Sequence, residues 1–391
     1  MLKLAHGRVV TPFRTLEDTC IWCQGETIVR VGPDDGGQAC RELDLTGLYV
    51  TPGFLDVHVH GGGGCEFWTE DPEEILRGAA FLARHGVTAL LPSVNYGRQM
   101  ALDRPTRARL AAMKQAMDAR RGPELLGLHL EGPHISPRFP MIPGQSLNPA
   151  LPERYLAFLE DAPPVRKWTV APEVAGVPQL IGTLLERGVS VSLGHSDAGL
   201  EEIYPAYEAG VRQVTHLYSG MSTVRRERGR RLPGLLEAAL ALDEMTVELI
   251  ANGAHLPPEL IRLVYALKGA EHICVVSDGT AVTGSPDGPV TYRGQPGLVE
   301  DGAVLRADGK GFLGSAVTAD QMLRNLVERV GIPLADAVRM CATTPARSLG
   351  LGRRKGVLAA GFDADLLAFD RELTLRLVVI RGQVLESSAV C

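Results

Sequence analysis

Histidines in this sequence recur at the ends of short β-branched runs, where they could bind a metal ion. The segment DVHVHGGGG carries His58 and His60 two residues apart, so on a strand both imidazoles share one face with Asp56. Two imidazoles at successive inward positions can ligate one cation, and the glycines after them allow close approach of the backbone. Taken alone, such a pair is equally typical of interior histidines that are only hydrogen-bonded.

Three further segments place potential ligands at the ends of separate strands. HLEGPHIS carries Glu131, SLGHSDA carries His195 and VTHLYSGM carries His216. A carboxylate and several imidazoles that converge from different strands are costly to bury unless they bind a cation or one another. VVSDGT adds Asp278, whose carboxylate can take a proton from an attacking water and hand it to a leaving amine. Together these segments predict a metal-dependent hydrolase.

The elements that must position these residues alternate through the middle of the chain. β-branched runs predict eight strands, with amphipathic helices between them, at about 54–60, 87–92, 125–130, 168–171, 189–193, 213–217, 246–250 and 273–277. Eight such units indicate an α/β fold of the (β/α)8 type, whose active site lies at the carboxyl ends of the strands. A doubly wound open sheet is the alternative.

The first predicted helix has clear boundary signals. Asp71 can cap it, Pro72 suits its first turn, Glu74 completes a capping box with Asp71, and Gly86 ends it. The two ends of the chain differ from the middle, because residues 1–51 and 355–391 carry strand-like runs broken by Gly, Pro and Asp. We predict that these ends pair as one small β-sandwich domain beside a barrel domain of residues 52–354.

The composition argues against several classes of protein. Hydrophobic residues make up 45% of the 391 and charged residues 22%, which indicates a large folded core. A net charge of −6 argues against nucleic acid or an anionic membrane as the main partner. We find no signal-peptide pattern and no apolar run of the ~18 residues that a membrane span needs. We therefore expect a cytoplasmic protein with a small-molecule substrate.

The ordered set HxH, HLEGP, GHS, THLY-xx-M and SDGT resembles the N-acetylglucosamine-6-phosphate deacetylase family of the amidohydrolase superfamily. The similarity runs from TPGFLDVHVHG through LGSAVTADQMLRNLV to GVLAAGFDADLLAFD. It implies a barrel with a β-sandwich built from both termini, often a homodimer, and hydrolysis of the acetamido group of an amino-sugar phosphate. The alternatives are N-acetylgalactosamine 6-phosphate or an N-acyl amino acid as substrate, or a non-catalytic scaffold.

The resemblance also implies a role for each candidate residue. Glu131, His195 and His216 match the main metal ligands of the family. His58 and His60 match a pair that holds a second metal in some members, with Glu131 as the bridge. One or two divalent ions per subunit are therefore expected, and imidazole with carboxylate suits zinc, iron, manganese and cobalt alike.

Asp278 matches the catalytic acid/base of the family. His255, in IANGAHL, matches a histidine that contacts the substrate and polarises the acetyl carbonyl. The family reads ADG before this histidine, and this chain reads Ala251-Asn252-Gly253.

The phosphate end of the resemblance departs further from the family. The family's HL(Y/F)NAM becomes a turn with Ser219 and Gly220, and its GAHNP is replaced by PMIPGQSLNP. Arg231, in RLPG, best matches a family arginine that reaches phosphate, often from the neighbouring subunit. The rest of the arginine-rich segment 225–231 fits a solvated loop equally well. A family loop over the substrate is matched by Leu313, Gly314 and Ser315, for which a helix-entry turn is the alternative.

Overall fold

The computed structural model describes residues 1–37, 39–95, 102–140, 149–309 and 311–385, and its middle forms a barrel of eight parallel strands. The strands are β1 Phe54–Val59, β2 Val87–Val94, β3 Leu128–Glu131, β4 Val165–Val170, β5 Ser190–Leu193, β6 Gln213–Val214, β7 Thr246–Ile250 and β8 Ile273–Val276. A parallel bridge between Val59 and Gly279 closes β8 onto β1. The predicted (β/α)8 barrel is confirmed.

Helices follow the barrel strands and bury one apolar face each. They are α1 Pro72–Ala83, α2 Arg104–Asp118, α3 Pro152–Asp161, α4 Val177–Glu186, α5 Leu200–Ala209, α6 Leu235–Ala241, α7 Pro258–Lys268, α8 Ala319–Arg324, α9 Leu334–Val338 and α10 Thr344–Ser348. In α4 the buried residues Val177, Leu180, Ile181 and Leu184 have the spacing of one helical face. Among the residues described, no helix combines the length and apolarity that crossing a membrane would require.

The start of α1 differs in one respect from the sequence prediction. Asp71 caps the helix, since its carboxylate accepts the backbone N–H of Glu73 at 2.9 Å. The prediction of a capping box is wrong, however. The carboxylate of Glu74 accepts instead from the backbone N–H of Glu66 at 3.0 Å and from the hydroxyl of Thr69 at 2.7 Å. Through these two hydrogen bonds, Glu74 connects the loop after β1 to the first turn of α1.

Two barrel strands are shorter than predicted for local reasons. Gly127 has a φ of +139° and divides the third predicted strand into Glu124–Leu125 and β3. A side chain there would meet the carbonyl oxygen of Pro164 at 2.4 Å, so only glycine fits. The sixth strand stops before His216, whose φ of +26° takes the backbone out of the extended region.

Strands from both termini form one eight-stranded sheet beside the barrel. They are Leu2–Val10, Thr15–Gln24, Thr27–Gly32, Arg41–Asp44, Tyr49–Pro52, Leu366–Phe369, Leu375–Ile380 and Gln383–Leu385. The two ends of the chain join where Tyr49–Pro52 pairs antiparallel with Leu366–Phe369. The sheet has its own apolar core, which includes Leu4, Ile21 and Leu377. A small β domain built from both termini is confirmed, whereas its boundaries at 51/52 and 354/355 stay a prediction.

Two insertions at the barrel's active-site side were not predicted. Between β8 and α8 lies a four-stranded antiparallel sheet of Gly288–Tyr292, Gln295–Glu300, Ala303–Arg306 and Phe312–Ser315. The arginine-rich segment is a hairpin of Arg225–Glu227 and Arg230–Leu232. Its two turn residues, Arg228 and Gly229, both have positive φ, the conformation that suits a tight two-residue hairpin turn.

Candidate metal centre and active site

The five predicted ligands meet at the carboxyl ends of four barrel strands. Donor atoms of His58, His60 and Glu131 lie within 4.8 Å of one another, and so do those of Glu131, His195 and His216. Glu131 belongs to both groups because it ends β3 between the strands that carry the two sets. Its Oε1 lies 3.0 Å from Nε2 of His195 and of His216, and its Oε2 lies 3.2 Å from Nε2 of His60. The two ligand groups therefore share one carboxylate.

Hydrogen bonds on the far side of the rings orient three of the histidines. Nδ1 of His58 faces Glu248 Oε2 at 3.0 Å, Nδ1 of His60 faces the Ser93 carbonyl at 3.0 Å, and Nδ1 of His195 faces the Phe139 carbonyl at 2.9 Å. Carbonyls and carboxylates only accept, so each Nδ1 must carry the proton. In the neutral ring, each Nε2 then directs a lone pair toward Glu131, as metal-binding histidines do.

The resulting cluster fits a divalent cation. His58 Nε2 is buried and has no hydrogen-bond partner among the described residues. The Nε2 atoms of His195 and His216 lie only 3.0 Å apart and both face Glu131. Lone pairs and a carboxylate concentrated in this way repel one another unless a proton or a metal ion lies between them. Imidazole nitrogen with carboxylate oxygen is the donor set of zinc and related ions.

Three residues of the site have the left-handed backbone that non-glycine residues rarely adopt. The φ angles are +48° at His195, +26° at His216 and +46° at Asp278, each just after a barrel strand. Such conformations cost about 1–3 kcal/mol each and persist where the surrounding structure enforces them. The strained turns direct these three side chains inward over the barrel mouth, which is why these residues follow their strands instead of continuing them.

A buried ion pair beneath the cluster escaped the sequence analysis. Lys167 on β4 and Glu248 on β7 form a salt bridge inside the barrel, where both side chains are almost fully enclosed. The second oxygen of Glu248 accepts from His58 Nδ1 and from the backbone N–H of His216 at 3.3 Å. Burial lowers the pKa of Lys167 to about 7. A charged residue within an otherwise apolar run, as in TVELI, was the signal that could have identified this pair.

His129 lies in the same buried layer and supports the site. Its Nδ1 is 2.7 Å from the hydroxyl of Ser93, and its Nε2 is 2.8 Å from the hydroxyl of Thr169. Burial, with a smaller contribution from the charge of Lys167, lowers its pKa well below the ordinary value. Because both ring nitrogens are engaged, His129 directs neither of them at the ligand cluster.

Asp278 lies beside the ligand cluster and opens toward solvent. Its Oδ1 is 3.4 Å from His60 Nε2 and 3.5 Å from His58 Nε2, and its side chain is 18% exposed. Burial raises its pKa, but the electrostatic interaction with His58 and the hydrogen bond with His60 outweigh burial and lower the pKa. The carboxylate is therefore ionised and able to accept a proton.

His255 lies on the other side of the mouth, after β7. Its Nδ1 is 2.8 Å from the amide nitrogen of Asn252, and its ring centroid is 4.2 Å from that of Phe312 in the inserted sheet. Burial lowers its pKa to about 4. The imidazole is therefore neutral at physiological pH.

A cavity of about 580 Å³ opens over the cluster and is large enough for a small-molecule substrate. Of the residues predicted to contact substrate, five line it: Ser219, Gly220, His255, Leu313 and Gly314. Its wall also contains residues that the sequence analysis did not single out: Asn95, Arg138, Tyr218, Tyr292, Arg293 and Arg306.

Two predicted substrate contacts lie elsewhere within the described ranges. Ser315 is fully buried, and its hydroxyl lies 3.2 Å from the amide nitrogen of Asn252 behind the cavity wall. Arg231 is exposed on the arginine-rich hairpin and does not line the cavity of its own chain. Their predicted contact with substrate finds no support in the geometry of a single chain.

A (β/α)8 barrel with a histidine and glutamate cluster beside an ionised carboxylate is the architecture of a metal-dependent hydrolase. The chain belongs to the amidohydrolase family, whose model matches residues 49–385. It is 32% identical over 389 residues to the N-acetylgalactosamine-6-phosphate deacetylase of Escherichia coli O157:H7, which covers 97% of this chain and 98% of that protein.

Two N-acetylglucosamine-6-phosphate deacetylases are also similar to this chain. The enzyme of Lysinibacillus sphaericus is 28% identical, over 94% of this chain and 93% of that protein. A solved structure of the Mycobacterium smegmatis enzyme, an alanine variant in complex with N-acetyl-D-glucosamine 6-phosphate, is 30% identical with a TM-score of 0.86. The match covers 98% of each chain, so it includes both the barrel and the β domain.

Proposed function

We propose that this protein hydrolyses the acetamido group of N-acetyl-D-glucosamine 6-phosphate, giving D-glucosamine 6-phosphate and acetate. The observation that carries this proposal is the convergence of two ligand groups on Glu131 beside the ionised Asp278, at the base of an open cavity. The similarity to deacetylases along nearly the whole chain supports the same reaction class. Zinc, iron, manganese and cobalt are the candidate metals.

Seven side chains carry the proposed reaction. His58, His60, Glu131, His195 and His216 would hold one or two divalent ions, which supply Lewis acidity and make water nucleophilic near neutral pH. Asp278 accepts the proton of the attacking water and delivers it to the amide nitrogen, which leaves poorly unless it is protonated. His255 contacts the acetyl oxygen, where negative charge develops in the transition state.

The far end of the cavity suits an anionic group. Ser219 and Gly220 line the cavity, and so do three arginines, Arg138, Arg293 and Arg306. Arg138 is paired with Asp197 and Arg293 with Glu66, so part of their charge is already compensated. In the homodimer that we propose, Arg231 of one copy reaches the phosphate bound by the other. Mass photometry of the purified protein would test for the dimer.

N-acetylgalactosamine 6-phosphate is the second candidate substrate, because the E. coli relative of 32% identity carries that name. The two sugars differ only in the orientation of one hydroxyl group. We keep N-acetyl-D-glucosamine 6-phosphate first because Lysinibacillus and Mycobacterium relatives with that name match the chain over comparable lengths. We expect the reaction to take place in the cytoplasm.

Acetate release from four substrates tests the proposal. The metal-loaded enzyme is assayed with the gluco and galacto sugars, each with and without the 6-phosphate. We expect the highest kcat/KM for the phosphorylated gluco sugar. A preference for the galacto epimer would assign the second candidate, and equal rates without phosphate would refute the phosphate assignment. No turnover of any of the four would refute the deacetylase proposal.

A further inference from the structure

We infer that Asn252 is a positioning residue that fixes the tautomer of His255, so that Nε2 carries the proton and donates into the cavity. The inference rests on the proposed function only for the group that receives this hydrogen bond, the acetyl oxygen of the substrate. The tautomer itself follows from the contacts of Asn252 within the chain.

The orientation of the Asn252 amide is determined by two backbone donors. Its Oδ1 accepts the backbone N–H of Ala254 at 3.1 Å and that of His255 at 2.9 Å. Backbone N–H groups can only donate, so an amide rotated by 180° would place NH₂ against N–H. The oxygen of Asn252 must therefore face these two donors, and its nitrogen must lie on the opposite side.

The amide nitrogen of Asn252 consequently faces His255. It lies 2.8 Å from Nδ1 of His255 and 3.2 Å from the carbonyl of Gly302, a group that only accepts. Because Asn252 donates here, Nδ1 of His255 must present a lone pair. A neutral imidazole has one N–H, so the proton of His255 is on Nε2.

This arrangement is the opposite of that at the metal ligands. At His58, His60 and His195 an acceptor faces Nδ1, which leaves Nε2 with a lone pair for a metal ion. At His255 a donor faces Nδ1, which leaves Nε2 as a hydrogen-bond donor. His255 is thereby excluded as a general base and as a metal ligand through Nε2, and it suits a developing oxyanion.

Few charges act on His255. Asp278 favours its protonated form and His216 disfavours it, while the ring of Phe312 packs against it from the inserted sheet, tilted by 35°. Burial exceeds both electrostatic effects, so His255 keeps a single proton at neutral pH. Among the described residues, Asn252 is the one that hydrogen-bonds to a ring nitrogen of His255, so it sets the position of that proton.

Asn252→Asp provides a sharp test, because a carboxylate at this position accepts where the amide donates. It would draw a proton onto Nδ1 of His255 and raise the pKa of the ring. When the ring is doubly protonated, Nε2 still donates. Once the pH exceeds the new pKa, the remaining proton stays on Nδ1 and Nε2 loses its hydrogen. The variant should therefore lose activity with rising pH where the wild type does not.

The tautomer can be measured without any substrate. Zinc-loaded protein with ¹⁵N-labelled histidine is studied by long-range ¹⁵N–¹H correlation NMR, and the His255 signals are assigned from their absence in His255→Gln. We expect a protonated Nε2 and an unprotonated Nδ1 in the wild type, and a protonated Nδ1 in Asn252→Asp. A protonated Nδ1 in the wild type would overturn the inference.

The kinetic test uses the best substrate from the panel. In Asn252→Asp we expect kcat to fall by about 10²-fold at alkaline pH, the usual effect of losing one oxyanion donor, with little change in KM. Asn252→Ala should lose less, since it leaves both tautomers accessible. Metal content equal to the wild type separates this effect from damage to the metal centre. An unchanged pH profile in Asn252→Asp would contradict the inference, whereas failure of the substrate panel would leave the NMR result standing.

Discussion

Replacing Glu248 by glutamine tests whether the buried ion pair supports the metal centre. The carboxylate accepts from Lys167 with one oxygen and from His58 and the backbone of His216 with the other. Glutamine has nearly the same size but no charge, and it presents an NH₂ group in place of one oxygen. At least one donor then loses its acceptor, and Lys167 loses the carboxylate that compensates its charge.

Removing one partner of a buried ion pair costs about 3–5 kcal/mol of unfolding free energy. Part of this cost depends on pH, because a pKa of about 7 at Lys167 means that the folded wild type binds a proton on this amine as the pH falls below 7. Loss of a partner that orients a ligand also weakens metal binding by about 10–100-fold.

Proton binding gives the stability deficit a pH dependence of known sign. In Glu248→Gln the folded state holds Lys167 neutral below pH 7 as well, because the carboxylate that favours its charged form is absent. The folded wild type then binds more protons than the folded variant, so the deficit should grow by up to about 1.4 kcal/mol for each pH unit below about 7 and stay constant above it.

Asp365→Asn serves as the matched control. Asp365 forms a buried pair with Lys355 away from the site, but Lys355 also contacts Glu124 and Asp363 and stays charged. Urea unfolding of the metal-free proteins at several pH values measures stability, and competition with a chelator measures metal affinity. We expect the control to keep its metal affinity. Wild-type affinity in Glu248→Gln would refute the link through His58, and a deficit independent of pH would refute proton release by Lys167.

Three further predictions concern the site directly. Asp278→Asn should lower kcat by about 10²–10⁴-fold while metal analysis finds the same metal content, and near-normal turnover would show that another group carries the proton. Dialysis against a chelator should abolish acetate release and lower the melting temperature, and zinc, iron, manganese or cobalt should restore both; activity that survives in metal-free protein would contradict the assigned centre. His255 has a pKa lowered to about 4, so it stabilises the fold above its ordinary pKa of 6.5, and about 3 kcal/mol of this is lost as the pH falls to 4. The difference in unfolding free energy between metal-free wild type and His255→Gln should shrink over that interval, and a constant difference would refute the shift.

The barrel could be predicted from the sequence because the strands are compact, mostly apolar runs with helical periodicity after them. The residues that chemistry requires at the strand ends, such as Glu131 and His195, lie in those same segments. Their convergence follows from the fold, since all parallel strands end at one face of the barrel. The strand pattern could not show which inward-facing residues bind a metal ion and which only hold the site in place. His129 shares the inward face of β3 with Glu131, and only its contacts with Ser93 and Thr169 separate the two roles.

The far wall of the cavity could not be predicted, for a related reason. Arg293, Arg306 and Phe312 belong to an inserted sheet whose strands alternate weakly between exposed and buried positions. Arg231 lies on the second strand of a two-stranded hairpin, and within the described chain this hairpin pairs with no other strand. Side chains on such insertions have no fixed direction relative to the barrel axis, so sequence spacing says nothing about which of them face the substrate.

The metal-binding histidines and His255 differ in tautomer, and this difference separates metal binding from stabilisation of the oxyanion. A metal ligand and an oxyanion donor are the same imidazole chemically, and burial alone cannot distinguish them. The distinction at this barrel mouth comes from the group behind each ring: Glu248 or a carbonyl behind the ligands, and the Asn252 amide behind His255. A carboxylate in place of Asn252 would remove the distinction above the pKa of His255. The residue three positions before His255 is therefore expected to govern the alkaline limit of activity, although it touches neither the metal centre nor the substrate.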